Sequence, residues 1–175
     1  MIRDQLFLFP ELNPFKTIIK DIDYMDASKI PEFKNVVETK NKLRDLPEGK
    51  YTLFKSGGRN RFLPELGNIF PYVQNMDTKY VYSPTLLKTY VVVILTEGGV
   101  GYTINLSRAS ASAFIVHPNP DKTFITDHIN KNRRDYRLSN LRWATQSENL
   151  KDKDVGASKG EGFWDDRVTR YTLIK

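Results

Sequence analysis

Asp127-His128, Asn140 and Glu148-Asn149 gather a carboxylate, an imidazole and two carboxamides into one short stretch of the chain. That set is what hydrolysis of a phosphodiester with a single metal ion needs: hard oxygen donors for the ion and a base for the attacking water. Only His117 and His128 are present and there is no cysteine, so a proton acceptor working near neutral pH has few candidates. His128 is the one with acidic and amide neighbours. His117 adjoins a proline turn and is read as structural or exposed.

The elements around these residues must bring them together. Thr123-Phe124-Ile125-Thr126 reads as a short strand that delivers Asp127 and His128 at its end, and Leu141-Arg142-Trp143-Ala144 as its antiparallel return. Thr145-Gln146-Ser147-Glu148 is a capping box, so a helix starts at Thr145 and Asn149 falls in its first turn. Strand, long loop, strand and helix form a ββα unit. Adjacent residues on a regular strand point to opposite faces, so Asp127 and His128 can serve one phosphate only where the strand ends or twists. A flat, continuous strand through both counts against the site.

Upstream, Leu106 to Val116 suits a small-residue helix packed closely on a sheet, stopped by His117-Pro118-Asn119-Pro120. Tyr90 to Leu95 and Val100 to Ile104 read as a hairpin around Thr96-Glu97-Gly98-Gly99. Tyr51 to Phe54 is a strand running into a turn at Ser56-Gly57-Gly58-Arg59, and Arg59 and Arg61 read as exposed loop residues. Asn13-Pro14 is an N-cap and N1 pair, and Ile18, Ile19 and Ile22 recur on one helical face. A second helix is expected through Phe33, Val36, Val37 and Leu43, ended by Leu46-Pro47-Glu48-Gly49. The lysines of both, such as Lys16, Lys20, Lys34, Lys40 and Lys42, suit solvated faces.

The expected fold is thus α+β: a helical region at 1–48 of unknown role, an antiparallel β region at 49–105, a ββα unit within 106–153, and a linker with a C-terminal strand at 154–175. Gly156 to Gly162 has linker composition, and Val168 to Ile174 has β character. With 175 residues the chain suits one compact domain or two small ones. Lys and Arg outnumber Asp and Glu by 27 to 21, and the pI near 9.4 favours a polyanionic partner. Lack of cysteine excludes disulfides, thiolate zinc sites and a thiol nucleophile. The longest strongly apolar run, Tyr90 to Leu95, is too short to cross a bilayer, so a soluble intracellular protein without membrane contact is expected.

The motif as a whole resembles the HNH (His-Me finger, ββα-metal) endonucleases, particularly those of phage and homing-endonuclease type. The resemblance rests on Ala113-Phe114, Asn119-Pro120, Asp127-His128, Asn140-Leu141-Arg142-Trp143, Thr145 and Glu148-Asn149. It implies a metal-dependent DNA endonuclease leaving 5′ phosphate and 3′ hydroxyl ends. In that scheme His128 is the general base, and Asp127 and Asn149 ligate one Mg²⁺ or Mn²⁺ per site. Asn140 braces the loop and orients His128 through a backbone contact.

The loop's Lys131, Arg133, Arg134 and Arg137, with Arg142, form a positive patch expected to meet the phosphates of double-stranded DNA. Arg142 alternates with Leu141 and Trp143 and is therefore expected to face outward. Relatives often carry a glycine and a second asparagine in this loop, where Lys131 and Tyr136 stand here. The competing reading is a non-catalytic nucleic-acid-binding or assembly protein that keeps the fold. Target sequence, strand preference, oligomeric state and source stay open.

Overall fold

The computed structural model describes residues 17–33 and 46–154, with backbone alone for 151–154. These residues form a mixed α/β structure with three antiparallel sheets and few helices. Of the expected second helix only Phe33, in a 3₁₀ turn, is described; residues 34–45, the linker and strand at 155–175 and the Asn13-Pro14 helix start lie outside the described residues, and residue 154, expected in the linker, ends a helix.

The first sheet contains β1 (Tyr24–Asp26), β2 (Tyr51–Gly58) and β3 (Phe70–Asn75) in that order. The expected turn at Ser56 to Arg59 is instead the bulged end of β2: the register with β3 shifts between Phe54 and Gly58. A Cβ at Gly58 would lie 2.7 Å from the Tyr72 Cβ and 2.8 Å from the Phe70 carbonyl oxygen, so the close strand approach there needs glycine.

The second sheet orders β4 (Thr85–Leu87), β5 (Tyr90–Glu97) and β6 (Val100–Asn105). The expected hairpin is present. Glu97 pairs with Val100, and Gly98 and Gly99 both take positive φ, 56° and 78°, which suits a two-residue turn to the right-handed twist of the strands. Val93 faces Ile104 and Leu95 faces Tyr102 across the pair, all four buried. Fully burying aliphatic side chains of this kind stabilises by about 1.5–3 kcal/mol each.

Helix α1 (Leu106–Phe114) follows β6 directly. Its N-cap, Asn105, accepts the Arg108 amide at 3.2 Å. Ala109, Ala111 and Ala113 are fully buried, which lets the helix lie close on the sheets, and Leu106 and Phe114 join the same core as Leu53, Phe70, Val93 and Tyr102.

Residues 17–23 contradict the expected first helix. Ile19 bridges Ile115, the Val116 amide donates to the Ile18 carbonyl at 2.8 Å, and the Lys20 amide donates to the Phe114 carbonyl at 2.6 Å. The segment is extended, with β1 and 3₁₀ turns at Ala27–Lys29 and Pro31–Phe33 after it. The isoleucine spacing was compatible with a helix, but the unpaired backbone just beyond α1 offers this segment a strand partner. No helix among the described residues is long and apolar enough to cross a membrane.

Candidate active site

Strand β7 (Ile125–His128) pairs antiparallel with β8 (Leu141–Ala144), placing Asp127 opposite Arg142 and His128 opposite Leu141. Helix α2 (Gln146–Asp154) comes next. Its start is the expected capping box: the Glu148 amide donates to the Thr145 hydroxyl at 3.3 Å, and the Thr145 amide donates to the Glu148 carboxylate at 2.6 Å.

The strand runs regularly through Asp127 and His128 and ends at His128, where the Lys131 amide closes a turn on the His128 carbonyl at 2.9 Å. Neither side chain is bulged out, so the two leave opposite faces at the last rungs of the hairpin, the arrangement that counts against their serving one phosphate. Their contacts follow that division. Asp127 meets Arg142 and Lys131, whereas His128 meets α1.

Asp127 is buried, 6% exposed, and its Oδ2 accepts from Arg142 Nε at 2.9 Å and lies 2.8 Å from Arg142 Nη2. Lys131 Nζ stands 3.3 Å from Oδ1 and 3.2 Å from Oδ2. Arg142 is itself buried at 8%, which corrects the expectation that it faces outward: the cross-strand carboxylate draws the guanidinium in. Lys131 holds φ at 62°, a left-handed conformation that glycine adopts without strain. The lysine therefore keeps the backbone shape of a glycine while adding a cation over Asp127.

His128 is 6% exposed, and its Nε2 lies 2.9 Å from the Ser107 hydroxyl on α1. Burial pushes its pKa down to about 4; the nearby Asp127 carboxylate opposes that shift and Arg133 adds to it. The ring is thus neutral at physiological pH, the form in which one nitrogen keeps a lone pair.

Asn140 is the hub of the intervening loop. Its Oδ1 accepts the Asn130 amide at 3.0 Å, and its Nδ2 donates to Asn130 Oδ1 at 2.9 Å and to the Asp135 carbonyl at 2.8 Å. Its own carbonyl accepts the Ile129 amide at 2.8 Å, fixing the residue after His128.

Part of the expected positive patch meets acidic and hydroxyl partners within the protein. Arg137 grips the buried Asp135 through Nε at 2.7 Å and Nη2 at 2.6 Å. Burial alone would raise the Asp135 carboxyl, but those donors hold it below its usual range. Arg133 donates to the Thr89 hydroxyl at 3.1 Å and lies over the Tyr90 ring. Lys131 and Arg142 meet Asp127, Lys131 while itself exposed, and Arg134 is exposed as well. Tyr136, in the place of a second asparagine, is core: it packs on Phe70 with ring centroids 4.9 Å apart.

Two contributors were not singled out from sequence. Ser107 is one. Asn60, wholly buried, is the other: it donates to the Arg134 carbonyl at 2.7 Å and accepts the Phe62 amide, tying the loop to the β region. A lone asparagine beside Arg59 and Arg61 carries no local signal of so distant a partner. His117 is structural, as expected, with its ring against Phe124 and Trp143.

Residues 116–151 match the family model of the HNH endonucleases. Over this stretch the chain is similar to the HNH endonucleases. A solved structure of the HNH homing endonuclease I-HmuI, described for DNA binding and cleavage, is similar over 77% of this chain and 59% of its own, with 20% identity and a TM-score of 0.48. No curated protein matches the chain. The matched segment holds Asp127, His128, Asn140 and Asn149, with α1 and Ser107 just before it.

As a metal site, Asp127 and Asn149 supply hard oxygen donors. Among the described residues no three of His, Cys, Asp and Glu cluster as ligands. Asp127 has the Lys131 ammonium within 3.3 Å of both carboxylate oxygens and the Arg142 guanidinium on Oδ2. Asn149, partly exposed, sits in the first turn of α2 with its amide donating to the Thr145 carbonyl at 3.1 Å. The donor types fit a divalent ion held mainly by water and substrate, on condition that the Lys131 ammonium moves off.

Proposed function

We propose that the protein is a DNA endonuclease hydrolysing phosphodiester bonds within a ββα-metal unit formed by β7, β8 and α2. The observation that carries this reading is a neutral, buried His128 within a segment matching the HNH endonucleases and beside a carboxylate that attracts cations. His128 takes the proton of the attacking water, a role that contributes about 10²–10⁴-fold. The water oxygen bonds to phosphorus, the bond to the 3′ oxygen breaks, and the products carry 5′ phosphate and 3′ hydroxyl ends.

Asp127 and Asn149 are the residues that would hold Mg²⁺ or Mn²⁺, whose chemistry is to offset charge on the phosphate and the departing oxygen. Asn140 keeps the turn after His128 in place and so acts on the base through the backbone. Double-stranded DNA is the proposed substrate, with the exposed Arg134 and Lys131 as loop cations toward phosphate.

Supercoiled plasmid incubated with purified protein and Mg²⁺ or Mn²⁺ tests the reading. Nicked or linear product that disappears in His128→Ala, with DNA binding kept, is expected. An inert wild-type protein across divalent ions and DNA forms leaves the non-catalytic binding module as the answer.

A further inference from the structure

We propose that Arg61 and Arg133, carried by different segments but held on one hairpin, clamp backbone phosphates of duplex DNA outside the cleavage centre; this rests on the reading of the protein as a DNA endonuclease. The hairpin is β4–β5, whose strands pair at Leu87 and Tyr90 around Lys88 and Thr89. Arg61 Nη2 donates to the Thr85 hydroxyl at 3.4 Å, and its guanidinium lies over the Phe62 ring, 4.9 Å from the centroid. Arg133 Nη1 donates to the Thr89 hydroxyl at 3.1 Å, with its guanidinium 5.1 Å from the Tyr90 ring centroid. Each cation is thus fixed by a ring face and by a neutral oxygen of the same hairpin.

Charge sets these two arginines apart. Arg137 and Arg142 are neutralised by the buried Asp135 and Asp127, whereas among the described residues neither Arg61 nor Arg133 has a carboxylate partner. A guanidinium offers five N–H donors, so a single bond to a hydroxyl leaves the full charge and donors to spare, the form that grips phosphate. Asn60 joins the two segments. Wholly buried, it donates to the Arg134 carbonyl at 2.7 Å and accepts the Phe62 amide at 3.0 Å, which seats Arg61 beside the loop that carries Arg133 and Arg134. Lys88, exposed at the hairpin tip, extends the same positive surface. Contacts of this kind fix the register of a duplex without reading its sequence.

Fluorescence anisotropy of the full-length protein with a labelled duplex oligonucleotide in EDTA, over a range of salt, tests the proposal. Arg61→Ala and Arg133→Ala should each reduce the slope of log Kd against log salt by about 0.9, and the double variant by about 1.8, one lost phosphate contact per arginine. Thr85→Val and Thr89→Val keep both charges but release them from the hairpin, so they should weaken binding several-fold at an unchanged slope. If Arg61→Ala fails to fold, Arg61→Gln removes the charge with the side-chain length kept.

Slopes that ignore both substitutions overturn the clamp, as does an effect confined to Arg133, which would leave the β region outside the interface. A wild type that cleaves plasmid while its slopes ignore the substitutions loses the clamp and keeps the nuclease reading. Reduced slopes in a protein that binds duplex but cleaves no DNA keep the clamp and remove the catalytic reading. A wild type that binds no duplex overturns both.

Discussion

Lys131 Nζ lies within 3.3 Å of both carboxylate oxygens of Asp127, and does so from a backbone held at φ 62°. A left-handed non-glycine residue costs roughly 1 kcal/mol relative to glycine. Its ammonium competes for the carboxylate that a divalent ion would use. Lys131→Gly should therefore leave thermal stability unchanged or slightly higher and tighten Mg²⁺ or Mn²⁺ binding, read by calorimetric titration. Weaker metal binding in the variant would show that the lysine supports the site and does not compete for it.

The Asp127–Arg142 pair predicts a trap for mutagenesis. Asp127→Asn removes a proposed metal ligand, but it also leaves a guanidinium that is 8% exposed facing a neutral amide. Removing one partner of a buried pair costs about 3–5 kcal/mol, whereas replacing both by apolar groups is often near neutral. Denaturant unfolding should show Asp127→Asn strongly destabilised and Asp127→Leu/Arg142→Met recovering most of the loss, with cleavage absent in both. Strictly additive losses would mean the two side chains are not energetically coupled.

Burial of His128 predicts the pH dependence of folding. Its folded pKa of about 4 lies below the unfolded value near 6.5, so the unfolded chain binds more protons between them. The stability associated with the neutral ring is complete above pH 6.5 and is lost as the pH falls toward 4, reaching about 3 kcal/mol at the lower end. Urea unfolding in EDTA from pH 8 to 4 should show this slope, and His128→Gln should flatten it. An equally steep slope in the variant would assign the acid sensitivity to other groups.

The contrast between what could and could not be read from sequence has a physical basis. The β5–β6 hairpin, α1, the β7–β8 pair and the capping box at Thr145 are written in local periodicity and turn chemistry, and all are present. Residues 17–23 were misread because isoleucine spacing cannot reveal that Ile19 has a strand partner at Ile115. The inward turn of Arg142 was hidden for a related reason. Charge along the chain shows how many cations are present, and which carboxylate each one meets depends on register, as with Arg142 opposite Asp127. Ser107 was hidden among small residues whose spacing suits plain packing.

The partners of the loop's arginines divide them into two kinds, and salt dependence should tell them apart. Arg134 is exposed, so Arg134→Ala should weaken DNA binding and reduce the salt slope by about 0.9, the effect of one lost phosphate contact. Arg137 instead satisfies the buried Asp135 through two donors, so Arg137→Ala should destabilise the loop and lower the melting temperature before it alters the slope. Binding isotherms over a range of salt, beside thermal melts of the same proteins, check both. Equal slope changes in the two variants would mean that DNA draws Arg137 off Asp135, and the loop would then rearrange on binding.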